Sequence, residues 1–151
     1  MPAVLLLLVV MLAPPAQAAL SRLVWTDPLT GYAIGGFDPV SYFTSRRPRA
    51  GKTDYEYVWN GVAWLFANEG NMRAFARDPE VYAPQFGGYG VFVMAEGKLV
   101  RGNPMIWVKT GQRLYLFASR LNRAHWLGRK RALLARAAIN WKRIVEDLPH
   151  Q

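Results

Sequence analysis

Apolar and polar positions follow different rhythms in different parts of this chain. Ala3 to Ala13 is an unbroken apolar run without a charged residue. Tyr55-Glu56-Tyr57-Val58-Trp59 and Val62-Ala63-Trp64-Leu65-Phe66 are two aromatic and β-branched stretches separated by Asn60-Gly61. Asn-Gly between two such stretches predicts a β-hairpin with a type I′ turn, because both residues tolerate positive φ. Asn68 then suits a helix N-cap and Glu69 a first turn, with Met72, Phe75 and Ala76 forming an apolar stripe. Asp78-Pro79 stops that helix and opens a shorter turn with Pro at its first position. Phe86-Gly87-Gly88-Tyr89-Gly90 predicts a tight backbone.

Further along, Tyr89 to Met94 reads as a strand and Ala95-Glu96-Gly97-Lys98 as a turn. Ile106-Trp107-Val108-Lys109, a turn at Thr110-Gly111, and Arg113 to Phe117 read as a second hairpin. Ser119 caps a helix that runs through His125 and Trp126 and breaks at Gly128. A last helix runs from about Lys130 to Asp147, with Leu134, Ala137, Trp141, Ile144 and Leu148 on one face. The expected class is α+β: small antiparallel β-hairpins packed with short helices, plus C-terminal amphipathic helices. No internal repeat is visible in the sequence after the first apolar run.

That first run changes the picture of the address. Pro14 and Pro15 end it, and Ala16-Gln17-Ala18 places small residues where a signal peptidase reads. The expectation is a signal peptide over 1–18, cleaved near Ala18, and a periplasmic or secreted chain. No Lys or Arg precedes the run, so an N-terminal membrane anchor is the alternative. The remainder divides into a core over 19–118 and a basic helical segment over 119–151 packed on the same domain. With 151 residues, 52 % apolar and 13 % aromatic, the chain can build a sizeable core. It has no cysteine, which excludes disulfides, thiolate nucleophiles, zinc–thiolate and iron–sulfur sites.

Net charge is +9, and it is uneven. From Arg120 onward, eight basic residues (Arg120, Arg123, Arg129, Lys130, Arg131, Arg136, Lys142, Arg143) face only Glu146 and Asp147. Basic surfaces bind polyanions. For an exported chain the partners in view are anionic lipid head groups, acidic envelope polymers or acidic proteins, and not nucleic acid. Arg129, Lys130, Arg131 and Arg136 are the candidate contacts. A plain solvated helix face is the alternative.

Several motifs occur in one order: Gly36-Phe37-Asp38-Pro39-Val40-Ser41-Tyr42-Phe43, Trp59-Asn60-Gly61 with Trp64 and Phe66, and Asp78-Pro79-Glu80 with Tyr82. Ala83-Pro84-Gln85, Phe86-Gly87-Gly88-Tyr89, Leu114-Tyr115-Leu116, Trp126 and Asn140-Trp141 follow. In this order they resemble the YHS domain family, and in particular its long exported subfamily. The resemblance implies a YHS-like fold and a family usually thought to bind metal. It also implies cysteines at positions that here hold Ser41, Ala67 and Asn71, and in the exported subfamily at the position of Gly90. A hydroxyl, a methyl group and an amide do not replace thiolates on a soft metal. No metal and no cofactor is therefore expected, and metal handling through non-thiol ligands is the alternative.

No catalytic motif is visible: there is no Gly-x-Ser-x-Gly, no His-Glu-x-x-His and no phosphate loop. His125 reads as an exposed helix residue, and His150 lies next to the end. Met72 reads as core filler, while Met94 and Met105 are remote thioether candidates. Asp38 is the best single carboxylate, although before Pro39 a turn residue capping backbone N–H groups is the plainer reading. Asp38, Tyr42, Tyr82, Tyr89 and Gly90 are the candidate ligand-binding residues, grouped by their place around the glycine turn. The functional expectation is a non-catalytic exported module that binds a small ligand or an envelope protein, its basic helix meeting an anionic surface.

Overall fold

The computed structural model describes residues 23–147. The expected signal segment, its cleavage point, Leu148 and His150 lie outside them. The α+β class holds: two separate two-stranded antiparallel sheets are packed with short helices. A 3-10 turn at Ile34–Gly36 leads to α1 (Ser41–Thr44), β1 (Lys52–Trp59), β2 (Val62–Phe66), α2 (Glu69–Arg77) and α3 (Pro79–Tyr82). A second 3-10 turn at Gln85–Gly88 leads to α4 (Val91–Met94), β3 (Asn103–Thr110), β4 (Arg113–Phe117), α5 (Arg120–Leu127) and α6 (Lys130–Glu146).

The order of elements repeats. One 51-residue step carries Lys52 to Asn103, Val62 to Arg113 and Glu69 to Arg120, the starts of matching elements. The registers match as well. Lys52 pairs with Phe66 and Glu56 with Leu65 across a bulge, as Asn103 pairs with Phe117 and Trp107 with Leu116. Asn68 accepts from the Asn71 N–H at the start of α2, and Ser119 accepts from the Asn122 N–H at the start of α5. Ile34-Gly35-Gly36 and Phe86-Gly87-Gly88 both run through three positive φ angles. The chain is thus two copies of one turn–helix–hairpin–helix unit. The sequence hides this because few side chains coincide; Gly51 and Gly102, Ala67 and Ala118, and Asn71 and Asn122 are among those that do.

The repeat explains where the expected elements shift. The strand expected over Tyr89–Met94 is instead a single bridge from Tyr89 to Arg101 followed by α4. A short apolar run does not distinguish strand from buried helix by pattern alone. Val91 and Met94, three residues apart, are fully buried, and the segment takes the form that α1 takes in the first unit. The second hairpin turn falls on Gly111-Gln112, both at positive φ, one residue later than expected. The first hairpin turn is type I′ as expected, with Asn60 at φ 51° and Gly61 at φ 70°. The division expected at residue 118 falls between β4 and α5, inside the second unit.

The core forms two clusters, and Leu114 and Leu116 of β4 in the second unit are buried in the first of them. Trp64, Phe66 and Phe75 are fully buried in the first; Trp64 and Phe66 each meet the Phe75 ring at 5.1 Å, with Trp59 against the same ring. Met72 packs at the edge of this cluster. Trp126 and Phe117 centre the second, with ring centroids 5.3 Å apart. The units meet through α1 and β3: the Tyr42 hydroxyl donates to the Pro104 carbonyl at 2.8 Å, and its ring meets Trp107 edge-on. The α6 helix starts one 51-residue step after α3, Pro79 to Lys130, but runs for 17 residues where α3 runs for four. It buries Leu133 and Ala137, with Leu134, Trp141 and Ile144 flanking them. Leu133 is an addition to the expected face.

Gly51 and Gly102 sit where each hairpin closes on its own backbone. A Cβ on Gly51 would lie 2.4 Å from the Leu65 Cβ, and one on Gly102 would lie 2.5 Å from the Leu116 Cβ. Gly51→Ala and Gly102→Ala are each expected to cost about 2–3 kcal/mol by overpacking. Gly111→Ala has open space around it and costs only the left-handed φ, about 1 kcal/mol. Urea unfolding of the three variants checks this order; equal effects would contradict it.

Candidate functional site

The expected site residues separate into three places. The first centres on Asp38, which is fully buried. Pro39 and the α1 start fold the backbone so that Asp38 Oδ1 accepts from Val40 N at 2.8 Å and Ser41 N at 3.2 Å. Its Oδ2 reaches across to the β2–α2 junction, accepting from Ala67 N at 2.9 Å and Asn71 Nδ2 at 2.6 Å. Ser41 Oγ donates to the Asp38 carbonyl at 2.6 Å and accepts from Arg49 N at 2.9 Å. The turn-capping role is therefore present, and the carboxylate also ties two elements together across 29 residues of chain.

Ser41, Ala67 and Asn71, the three positions at which the resemblance implies cysteines, all hydrogen-bond to this one carboxylate. The resemblance brought them together only by analogy; here they meet in space. Their chemistry does not fit a metal. Each presents an N–H toward Asp38, so a cation among them would face donors instead of lone pairs. Among the described residues, no group of three or more His, Asp or Glu side chains is placed to hold a metal ion. His125 is exposed on α5, its ring 5.9 Å from Phe92.

Tyr42 lies beside this centre but offers nothing to a ligand. It is 1 % exposed, and its hydroxyl is spent on Pro104. Burial, and then the Asp38 charge, hold its phenol protonated far above the ordinary tyrosine range. Lys109 Nζ donates to the Tyr42 carbonyl at 3.3 Å and stands over the Phe43 ring. Tyr82 packs edge-on against Phe43, 5.3 Å away.

Tyr89 belongs to a second place. With Trp25, Thr26, Gly61 and Arg101 it lines an open cleft of about 500 Å³ between the N-terminal segment and the first hairpin turn. Its ring also meets Trp141 of α6. Burial raises its pKa, with Arg101 acting in the opposite direction. Arg101 escaped the sequence reading; an isolated arginine between a turn and a strand carries no pattern. Tyr42, Tyr82 and Tyr89 therefore do not gather around one ligand.

Gly90 stands where Asp38 stands in the first unit. A side chain there would press on Ala118 N at 3.0 Å and Val93 Cγ2 at 3.2 Å, just as Asp38 meets Ala67 N. Its own N–H donates to the Val100 carbonyl at 2.8 Å. The second unit is closed instead by α6. The Asn140 side chain donates to the Met94 and Ala95 carbonyls at 2.9 and 3.1 Å, and Trp141 covers Phe86 and Tyr89.

The third place is the surface of α5 and α6. Of its eight basic residues, all but Arg123 are exposed, including the candidates Arg129, Lys130, Arg131 and Arg136. The ion pair seen here among the described residues is Lys142–Glu146, at 3.7 Å and exposed. Lys130 Nζ donates to Thr110 Oγ1, which ties the start of α6 to the second hairpin. No helix among the described residues is long and apolar enough to cross a membrane.

No family model matches the chain, and neither a curated protein nor a solved structure is similar to it.

Two outcomes follow for Asp38 and Tyr42. Asp38→Ala strands three buried backbone N–H groups and the part-buried Asn71 amide and is expected to cost about 3 kcal/mol or more; Asp38→Asn keeps the shape but sets an N–H against donors, at about 2 kcal/mol. Chemical denaturation measures both, and an unchanged midpoint for Asp38→Ala would contradict the structural role. The raised Tyr42 pKa means that the native state holds the phenolic proton more tightly than the unfolded chain. Its contribution is complete below about pH 10, the unfolded value, and is lost as pH rises toward the folded one. Stability should therefore fall in alkali, and Tyr42→Phe should flatten that fall; Tyr89 and Tyr115, shifted the same way, keep part of the slope.

Proposed function

We propose that this chain is an exported, non-catalytic YHS-like binding module that meets an anionic envelope surface through α5 and α6. The observation that carries this reading is the surplus of exposed cations on those two helices, of which Lys142 alone is in an ion pair among the described residues. Such a field attracts polyanions, and an exported chain meets them as lipid head groups or acidic polymers. The apolar run from Ala3 to Ala13, followed by Ala16-Gln17-Ala18, supports export. The order of motifs around Phe37-Asp38-Pro39-Val40 supports the family reading.

The non-catalytic part of the proposal draws on the state of the best chemical candidates. Asp38 and Ser41 are fully buried, and their polar atoms are engaged within the fold. A substrate would have to break that network to reach them. The same donor set weighs against the metal-handling alternative. A small ligand, if the module takes one, has the Tyr89–Arg101 cleft as its place.

Reversing Arg129, Lys130 and Arg131 together to glutamate tests the surface reading. These positions open α6, where acidic side chains favour the helix, so the fold should survive. Each basic residue near an anionic surface contributes about 1 kcal/mol, so the triple reversal is expected to weaken binding to phosphatidylglycerol vesicles by more than about 100-fold. Binding by the unchanged protein should also fall with added salt. Equal sedimentation of both proteins with the vesicles would contradict the proposal.

A further inference from the structure

The outward face of α6 holds more than charge. Helical spacing places Ala132, Ala135 and Ile139 along one stripe, opposite the buried Leu133 and Ala137. Ile139 is 69 % exposed, the most exposed large apolar residue of the two C-terminal helices. A single exposed isoleucine is ordinary on a protein surface. Its surroundings are not. Arg131 and Lys142 flank the stripe on one side, Arg136 and Arg143 on the other, and all four are exposed. Three acids lie on or beside this face: Glu146, seven residues beyond Ile139 and so on the stripe itself, Asp147 at the helix end, and Glu96. Glu146 is paired with Lys142, and Glu96 lines a shallow recess of about 220 Å³ with Arg136 and Ile139.

We propose that this face seats α6 in the plane of an anionic bilayer, with Ile139 entering below the phosphates and the four cations spread around it at head-group level. This rests on the anionic-surface reading above and names its partner as lipid. The two alanines let the helix backbone approach the surface closely. Long Arg and Lys stems lie along apolar surface while their heads stay with phosphate, the arrangement of helices that lie in a membrane interface. The inner face stays committed to the protein: Leu133 and Ala137 are buried, and Asn140 holds the carbonyls at the end of α4. The helix can therefore meet the membrane without leaving the fold. An acidic polymer would satisfy the cations but gives Ile139 no apolar medium to enter.

The absence of cysteine makes a direct test possible, since one introduced thiol is the only labelling site. Ile139→Cys and, as control, Asp54→Cys on the first hairpin would each carry an environment-sensitive nitrobenzoxadiazole label. With phosphatidylcholine–phosphatidylglycerol vesicles, emission at 139 is expected to rise and shift to the blue, and emission at 54 to stay constant. Pure phosphatidylcholine should leave both unchanged. Unlabelled Ile139→Asp should keep salt-sensitive attachment but bind about tenfold more weakly at high salt. Vesicle attachment without a change at 139 would overturn insertion and leave the anionic-surface reading standing. Equal binding to polyglutamate with no emission change would overturn lipid as the partner. No attachment to vesicles or polymer would sink both readings.

Discussion

A buried carboxylate with no ion-pair partner among the described residues is the constraint from which the first unit is built. Removing a charge from water costs several kcal/mol unless hydrogen bonds replace the lost hydration. Asp38 meets that demand with three backbone N–H groups and one side-chain amide. Two of them belong to the turn that starts α1, and two to the junction that starts α2. The charge can be satisfied only when the turn, the hairpin and the helix are all in place. It therefore acts less as a local cap than as a check on the geometry of the whole unit.

The second unit shows what happens when that device is absent. Gly90 takes the Asp38 position, and the packing around it leaves no room for a side chain without movement. The α6 helix takes over the closing role, through Asn140 on the α4 carbonyls and Trp141 on the glycine turn. One face of α6 is thus fixed by the needs of the second unit. The other is left free to carry Ile139 and the cations. The repeat and the surface are linked in this way: the helix that is short in the first unit and extended in the second, where it closes the unit, is also the one that presents the proposed membrane face.

Much of this architecture was legible in the residues. Asn60-Gly61 set the first hairpin turn, Asn68 and Ser119 the helix starts, and Asp78-Pro79 the helix stop, because each acts through local backbone chemistry. The α4 segment was not legible. A continuous apolar run carries no rhythm, and tertiary packing decided its form. The repeat escaped because backbone register, bulge and turn are conserved between the units while side chains are not. The role of Asp38 as a turn cap could be read from Pro39, but its reach to Ala67 and Asn71 could not, since no local pattern reports a contact 29 and 33 residues away. Asp38, Tyr42, Tyr82, Tyr89 and Gly90 all come from the motifs that carry the family resemblance, and nothing local says which of them share a place in space. In space Tyr42 and Tyr82 face the first unit, while Tyr89 faces the cleft beside Arg101.

The central claim is that the outer face of α6, and neither the Asp38 network nor the Tyr89–Arg101 cleft, meets the partner. An amide NMR titration with anionic bicelles tests it most directly. The account predicts shift changes and line broadening confined to α5 and α6, strongest from Arg131 to Arg143, with the amides of Val40, Ser41 and Ala67 unmoved. Changes centred on those three amides, or on Gly61, Tyr89 and Arg101, would contradict it.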